Sequence, residues 1–182
     1  MLAGAATRDY GRHRVSETLD KAELGETASD IKARRLHQPR RIVIIGGGFA
    51  GVAAARALRR CNAEVMLIDR RNHHIFQPLL YQVATAVLAP SEIAAPIRQL
   101  ARRQKNLSVM LAEVTGVDLK SRSVDADSPG VGVRKVSFDY LIIALGVQPS
   151  YFGHDEFAKH APSLKTLTDA EAIRAKILSR RL

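Results

Sequence analysis

The sequence predicts an α/β fold built on a parallel sheet, and three stretches carry that prediction. The first is Ile42-Val43-Ile44-Ile45, four consecutive β-branched residues, the pattern of a central strand buried on both faces. The second is Gly46-x-Gly48-x-x-Gly51, which ends that run and opens the Ala-rich stretch from Val52 to Leu58. The third is another apolar run, Glu64-Val-Met-Leu-Ile68, closed by Asp69. Strand, glycine turn, helix, strand and acid in that order make a Rossmann-like βαβ unit of the kind that binds dinucleotides.

Each residue of the unit has its own reason. Gly46 permits the tight turn, Gly48 lets the backbone approach a pyrophosphate, and Gly51 lets the helix pack close to its strand. Phe49 and Ala50 stand between them, where the orphan N–H groups and the positive dipole end of the helix face two negative phosphates. Asp69 follows Gly46 by a little over about twenty residues, the place where a carboxylate accepts hydrogen bonds from the ribose hydroxyls and repels a 2′-phosphate. The fingerprint does not distinguish FAD from NAD, because both present the same ADP half. A glycine-rich turn with a surface aspartate is the bland alternative, and the ordered context argues against it.

Composition narrows the classes. With 182 residues, 46% of them hydrophobic, the chain suits one domain of ordinary size with a tail. Cys61 is the single cysteine, which excludes an internal disulfide, a CxxC redox pair and a thiolate zinc site within this sequence. It is read as a small apolar filler at the end of the first helix, and the cytoplasm as the natural compartment. The formal charge of +10 raises nucleic acid and anionic membrane as partners. Basic residues are scattered or sit at helix ends, as in Arg59-Arg60 and Arg102-Arg103, and no aromatic platform for bases interleaves with them. A nucleic-acid role is therefore ranked last, while the basic surface suits peripheral contact with anionic lipid headgroups. The uncharged stretches Ile42–Ala55 and Ile75–Ser91 carry glycine, glutamine and proline and do not read as membrane spans.

Along the chain, residues 1–38 are polar, mixed in charge and glycine-interrupted, and read as a disordered leader; residues 39–182 read as the folded domain. Arg70, next to Asp69, is placed either near phosphate or on the surface. His73 and His74 lack acidic or cysteine partners at metal spacing, so no metal site is expected. Pro78 suits the first turn of a helix through Leu79, Leu80 and Val83. Ser91–Leu100 reads as one helix capped by Ser91 and bent at Pro96. Leu107–Leu119 gives short strand-like runs, and turn residues between Ser121 and Arg134 followed by Lys135–Phe138 predict a small antiparallel meander. Leu141–Leu145 reads as a second buried parallel strand ending at Gly146. Thr168-Asp-Ala-Glu171 reads as a capping box that opens a C-terminal helix.

A βαβ start, a helical excursion, an antiparallel meander and a returning strand form the layout of flavin domains in two-dinucleotide-binding flavoproteins. From Arg41 to about Leu178 the residues resemble the type II NADH dehydrogenases, the non-proton-pumping NADH:quinone oxidoreductases. The stretches that carry the resemblance are Asp69-Arg-Arg-Asn-His-His-Ile-Phe-Gln-Pro-Leu-Leu-Tyr-Gln-Val-Ala-Thr85, Ser91-Glu-Ile-Ala-Ala-Pro-Ile-Arg98 and Tyr151-Phe-Gly-His-Asp-Glu-Phe-Ala-Lys-His160.

The resemblance implies that the dinucleotide is FAD. Gly46, Gly48 and Gly51 would hold its pyrophosphate and Asp69 its ribose. Phe76, Pro78 and Leu79 would lie near the isoalloxazine, the backbone at Val114 near the adenine, and Ala144 and Gly146 at the returning strand's end. Leu145 stands where the family usually has threonine. The resemblance further implies NADH and a membrane quinone as substrates, and attachment to the cytoplasmic face of the inner membrane. The family's NADH-binding domain and its C-terminal membrane-associated part have no counterpart here, so an N-terminal portion of an incomplete fold is expected, with homodimerisation through its open sheet. No catalytic acid or base is assigned. The competing readings are a FAD- or ADP-binding module without turnover and, against the lone cysteine, a disulfide or sulfide:quinone reductase.

Overall fold

In the computed structural model, which describes residues 38–179, the chain from Pro39 onward folds around a four-stranded parallel sheet. The expected leader falls largely on residues 1–37, which lie outside the described residues. Strand β1 (Arg40–Ile45) leads through the glycine turn into helix α1 (Phe49–Ala57), and a 3₁₀ turn at Leu58–Arg60 precedes β2 (Ala63–Asp69). With β5 (Leu107–Leu111) and β9 (Tyr140–Ile143) the order across the sheet is β5-β2-β1-β9, every pair parallel.

The run of β-branched residues in β1 is explained by this position. Ile42 and Ile44 face one side, packing with Ala55, Val65, Leu67 and Ile97. Val43 and Ile45 face the other, packing with Ile68, Val124, Ala126 and Phe138. Because both faces are covered, alternation would leave a polar side chain buried. Ile44 and Leu67 lose all contact with solvent, each worth about 1.5–3 kcal/mol of transfer free energy.

The second face is covered by the predicted meander: β6 (Glu113–Asp118), β7 (Ser123–Ser128) and β8 (Gly132–Ser137), antiparallel in sequence order. Asp118 closes its first turn. The Ser121 hydroxyl and the N–H groups of Ser121 and Lys120 hold its carboxyl below the usual carboxylate range.

Several expectations are corrected. The single helix over Ser91–Leu100 is three pieces: α3 (Pro90–Ile93), β4 (Ala94–Pro96) and α4 (Arg98–Arg102). Pro96 has no N–H to continue a helix and biases Ala95 to extended backbone, and the freed segment pairs antiparallel with β3 (His73–Ile75). Its N-terminal cap is at Ala89, whose N–H donates to the Glu92 carboxylate at 2.6 Å, and not at Ser91.

The returning strand β9 is an edge and not a buried strand. It pairs only with β1, so Tyr140 and Ile143 are 60% and 63% exposed. Cys61 is exposed and fills no core space. Beneath it, Gln104 and Asn106 close the end of α1: the buried Gln104 amide donates to the Ala55 carbonyl, and Asn106 donates to the carbonyls of Leu58 and Cys61.

A 3₁₀ turn at Gln77–Leu79, holding Pro78, leads into α2 (Leu80–Ala84), which packs against α5 (Leu167–Ser179) through Leu80, Val83, Ala84 and Ala170. The cap of α5 lies two residues before the predicted box. The Asp169 N–H donates to the Thr166 hydroxyl, while the Thr166 and Lys165 N–H groups and the Ser163 hydroxyl donate back to the Asp169 carboxylate. Partial burial pushes the Asp169 carboxyl up, but the hydrogen bonds outweigh it and its pKa is lowered. A depressed carboxyl contributes stability above its unfolded pKa and loses it as pH falls through the folded value. Asp169→Ala should therefore cost about 1 kcal/mol at neutral pH. That difference should begin to shrink as pH falls below about 4 and disappear only below the lowered folded pKa, measured by urea unfolding of both chains across that range.

Candidate functional site

The glycine turn sits at the carboxyl end of the parallel strands, where ligands of open α/β sheets bind. Gly46 has φ +105°, and a Cβ there would collide with the Ala144 carbonyl oxygen. Its N–H donates to the Ile68 carbonyl at 2.8 Å, and the Ala144 N–H donates to Ile45 at 2.8 Å. Turn, β2 end and β9 end thus share backbone contacts. Gly51 lies within α1, where a Cβ would overlap the Gly46 carbonyl oxygen.

Gly48 differs from both. Its φ of −73° suits any residue, and nothing lies within 4 Å of the position a Cβ would take. It is the N-cap of α1, no side chain caps it, and the first turn carries no acid. A neutral, uncapped helix start with open space before it fits an anionic group.

Asp69 is committed to the turn. One carboxylate oxygen accepts the Gly47 N–H, and the other accepts the Arg71 N–H at 2.6 Å. Each oxygen keeps a further lone pair. Phe49, the first residue of α1, is 48% exposed and meets Phe76 edge-on with ring centroids 5.8 Å apart. Phe76 is equally exposed, so two aromatic faces stand beside the helix start.

The remaining candidates are placed less centrally. Leu79 packs toward the α2–α5 pair, while Pro78 stays exposed. Arg70 pairs with Glu113 at 3.5 Å and lines a groove of about 520 Å³ with Ala112, Asp127 and Pro129. The Val114 side chain packs into the meander core beside Ala126. Gly146 has φ +73° with nothing beside it, and Leu145 is 68% exposed. Among the described residues, no group of three or more His, Cys, Asp or Glu could hold a metal ion.

Gly47 carries no reading from sequence, and His74, read only as no metal ligand, reaches the turn from β3. Gly47 has no room for a side chain: a Cβ would strike Ile97 Cδ1 and lie 3.2 Å from the Asp69 carboxylate. Three glycines in a row are the only sequence signal for it. The His74 ring, half-buried, reaches back to the Gly47 carbonyl with Nδ1 at 3.1 Å.

The family described as pyridine nucleotide-disulphide oxidoreductase matches residues 40–182. The chain belongs to that family. Among curated members it is 48% identical over 138 residues to the type II NADH:quinone oxidoreductase NdhA of Mycobacterium tuberculosis, covering 76% of this chain and 29% of NdhA. It is 46% identical over 139 residues to the type II NADH:quinone oxidoreductase Ndh of the same organism, covering 76% of this chain and 30% of Ndh. Among solved family folds, NDH2 of Plasmodium falciparum in complex with NADH superposes with a TM-score of 0.68 at 27% identity, over 77% of this chain and 29% of that one. The sulfide:quinone oxidoreductase of Aquifex aeolicus gives a TM-score of 0.67 at 25% identity, over 78% and 32%. The chain spans about three tenths of the length of the curated relatives it matches. The family is named for disulphide chemistry, and the one cysteine of the given sequence, Cys61, is exposed and lies beyond the end of α1 opposite the turn.

Proposed function

We propose that this chain is the FAD-binding portion of an NADH:quinone oxidoreductase. The observation that carries the reading is the open, uncapped N-terminus of α1 at Gly48, set at the carboxyl end of the sheet beside Asp69. The N–H groups at Gly48, Phe49 and Ala50 would take the pyrophosphate, with Gly46 and Gly51 shaping the turn. The remaining lone pairs of Asp69 would accept from the adenosine ribose, and the Val114 backbone, with Arg70 nearby, would border the adenine. Phe49, Phe76 and Pro78 would flank the flavin, keeping water from it, with Ala144 and Gly146 at its other side.

When bound, FAD would supply the redox chemistry, accepting hydride from NADH and passing two electrons to a quinone. The protein's part is binding, orientation and exclusion of water, and no side chain here is assigned a proton-transfer role. The names of the M. tuberculosis relatives support NADH and quinone as substrates of the whole protein. The net positive charge supports contact with an anionic membrane surface, and the exposed edge at β9 supports self-association. Among the described residues, no helix is long and apolar enough to cross a membrane.

The test is a visible absorption spectrum of the purified chain after FAD addition and desalting. Retained flavin bands are expected, and a folded but colourless protein would overturn the reading. Bands without NADH oxidation in the presence of a quinone would favour a binding module without turnover.

A further inference from the structure

We propose that His74 is a positioning residue of the dinucleotide turn, holding the Gly47 carbonyl so that the next amides present themselves to the ligand. The inference rests on the FAD reading for its ligand, but the contact it describes exists without one. The imidazole Nδ1 lies 3.1 Å from the Gly47 oxygen. A carbonyl can only accept, so Nδ1 carries the proton and donates. The ring is itself oriented. Backbone pairing of β3 with β4 sets His74 opposite Ala95, and the Phe49 ring meets it edge-on at 5.0 Å and 80°.

The turn is therefore gripped on both sides of one residue. The Gly47 N–H is held by the Asp69 carboxylate and its carbonyl by His74, while the preceding Gly46 N–H is held by Ile68. The Gly47 carbonyl belongs to the peptide that carries the Gly48 N–H, the first donor facing the open space. Fixing that peptide removes rotational freedom that binding would otherwise have to freeze, which is preorganisation. Without the donor, Gly47 has the widest conformational choice of any residue type, and the peptide plane is free to turn away.

The test compares His74→Leu, which keeps bulk and removes the donor, with His74→Asn, whose amide places an N–H close to the Nδ1 position. FAD affinity should fall by about tenfold in His74→Leu, the worth of one hydrogen bond, and return to within about threefold of the parent in His74→Asn. Equal loss in both variants, or no loss in His74→Leu, would overturn the proposal. Amide hydrogen exchange at Gly47 and Val52 in the ligand-free chains provides the second readout, since both N–H groups donate in the turn. Faster exchange in His74→Leu and protection in His74→Asn are expected; identical exchange in all three chains would overturn the proposal. Should the parent retain no FAD while the exchange pattern holds, the FAD reading fails and the positioning role stands.

Discussion

Gly51→Ala should lower the unfolding free energy by about 3 kcal/mol or more, read as a fall in the urea midpoint at unchanged slope. The added Cβ would overlap the Gly46 carbonyl oxygen, and the obstacle is backbone, which has no rotamer to retreat into. Relief requires α1 to lift from β1, opening the layer that Ala55 makes with Ile42 and Ile44. Close-packed interiors give way to such a shift only at the cost of many contacts. Ala53→Val, on the exposed face of the same helix, is the control and should cost about 0.5 kcal/mol from helix propensity alone. If Gly51→Ala costs no more than this control, close approach of helix and turn is not what the glycine provides.

Gly48→Ala should do the opposite: leave the fold almost unchanged and remove the ligand. Its backbone angles suit alanine and the space around its Cβ position is empty, so only the roughly 0.5–1 kcal/mol separating glycine from alanine as an N-cap should be lost. On the proposed reading, the same methyl would stand where the pyrophosphate approaches. An inserted methyl of this kind should cost binding about 1–3 kcal/mol, so FAD affinity should fall by about tenfold to a hundredfold. Measuring both variants by urea unfolding and by flavin titration separates a glycine kept for packing from one kept for a ligand. A Gly48→Ala chain that binds FAD as the parent does would remove the main support for a dinucleotide at this turn.

These contrasts show how unevenly the sequence speaks. The spacing Gly46, Gly48, Gly51 reads as tight turn, open approach and close packing, yet it does not say which atoms impose them: the Ala144 carbonyl at Gly46 and the Gly46 carbonyl at Gly51. Asp69 is legible as an acid after β2; its double engagement with the Gly47 and Arg71 N–H groups is not, because the turn closes through space. The meander is legible because its turns are local, one closed by Asp118 over Lys120 and Ser121 and the other formed by Pro129 and Gly130. Asp125 and Asp127, which read as turn residues, lie within β7 and pair on both sides. The region after Ser91 misled because helical spacing survives in residues whose backbone is broken by Pro96 and captured by β3. The α5 cap lies two residues earlier because two boxes overlap in sequence, Thr166 with Asp169 and Thr168 with Glu171, and only the path of the chain, which also brings Ser163 to the Asp169 carboxylate, decides between them.

What this sequence determined by itself is what depends on near neighbours: the β-branched run of β1, the glycine turn into an Ala-rich helix, the hairpin turns, and the single cysteine that excludes an internal redox pair. Only the tertiary structure decided that β9 is an exposed edge, that Cys61 faces solvent, and that His74 grips Gly47 across 27 residues of chain. Local steric preferences are written into a few adjacent residues. Long-range contacts arise where separate segments compete for the same hydrogen-bonding groups and the same apolar surface, and the winner depends on the whole packed layer.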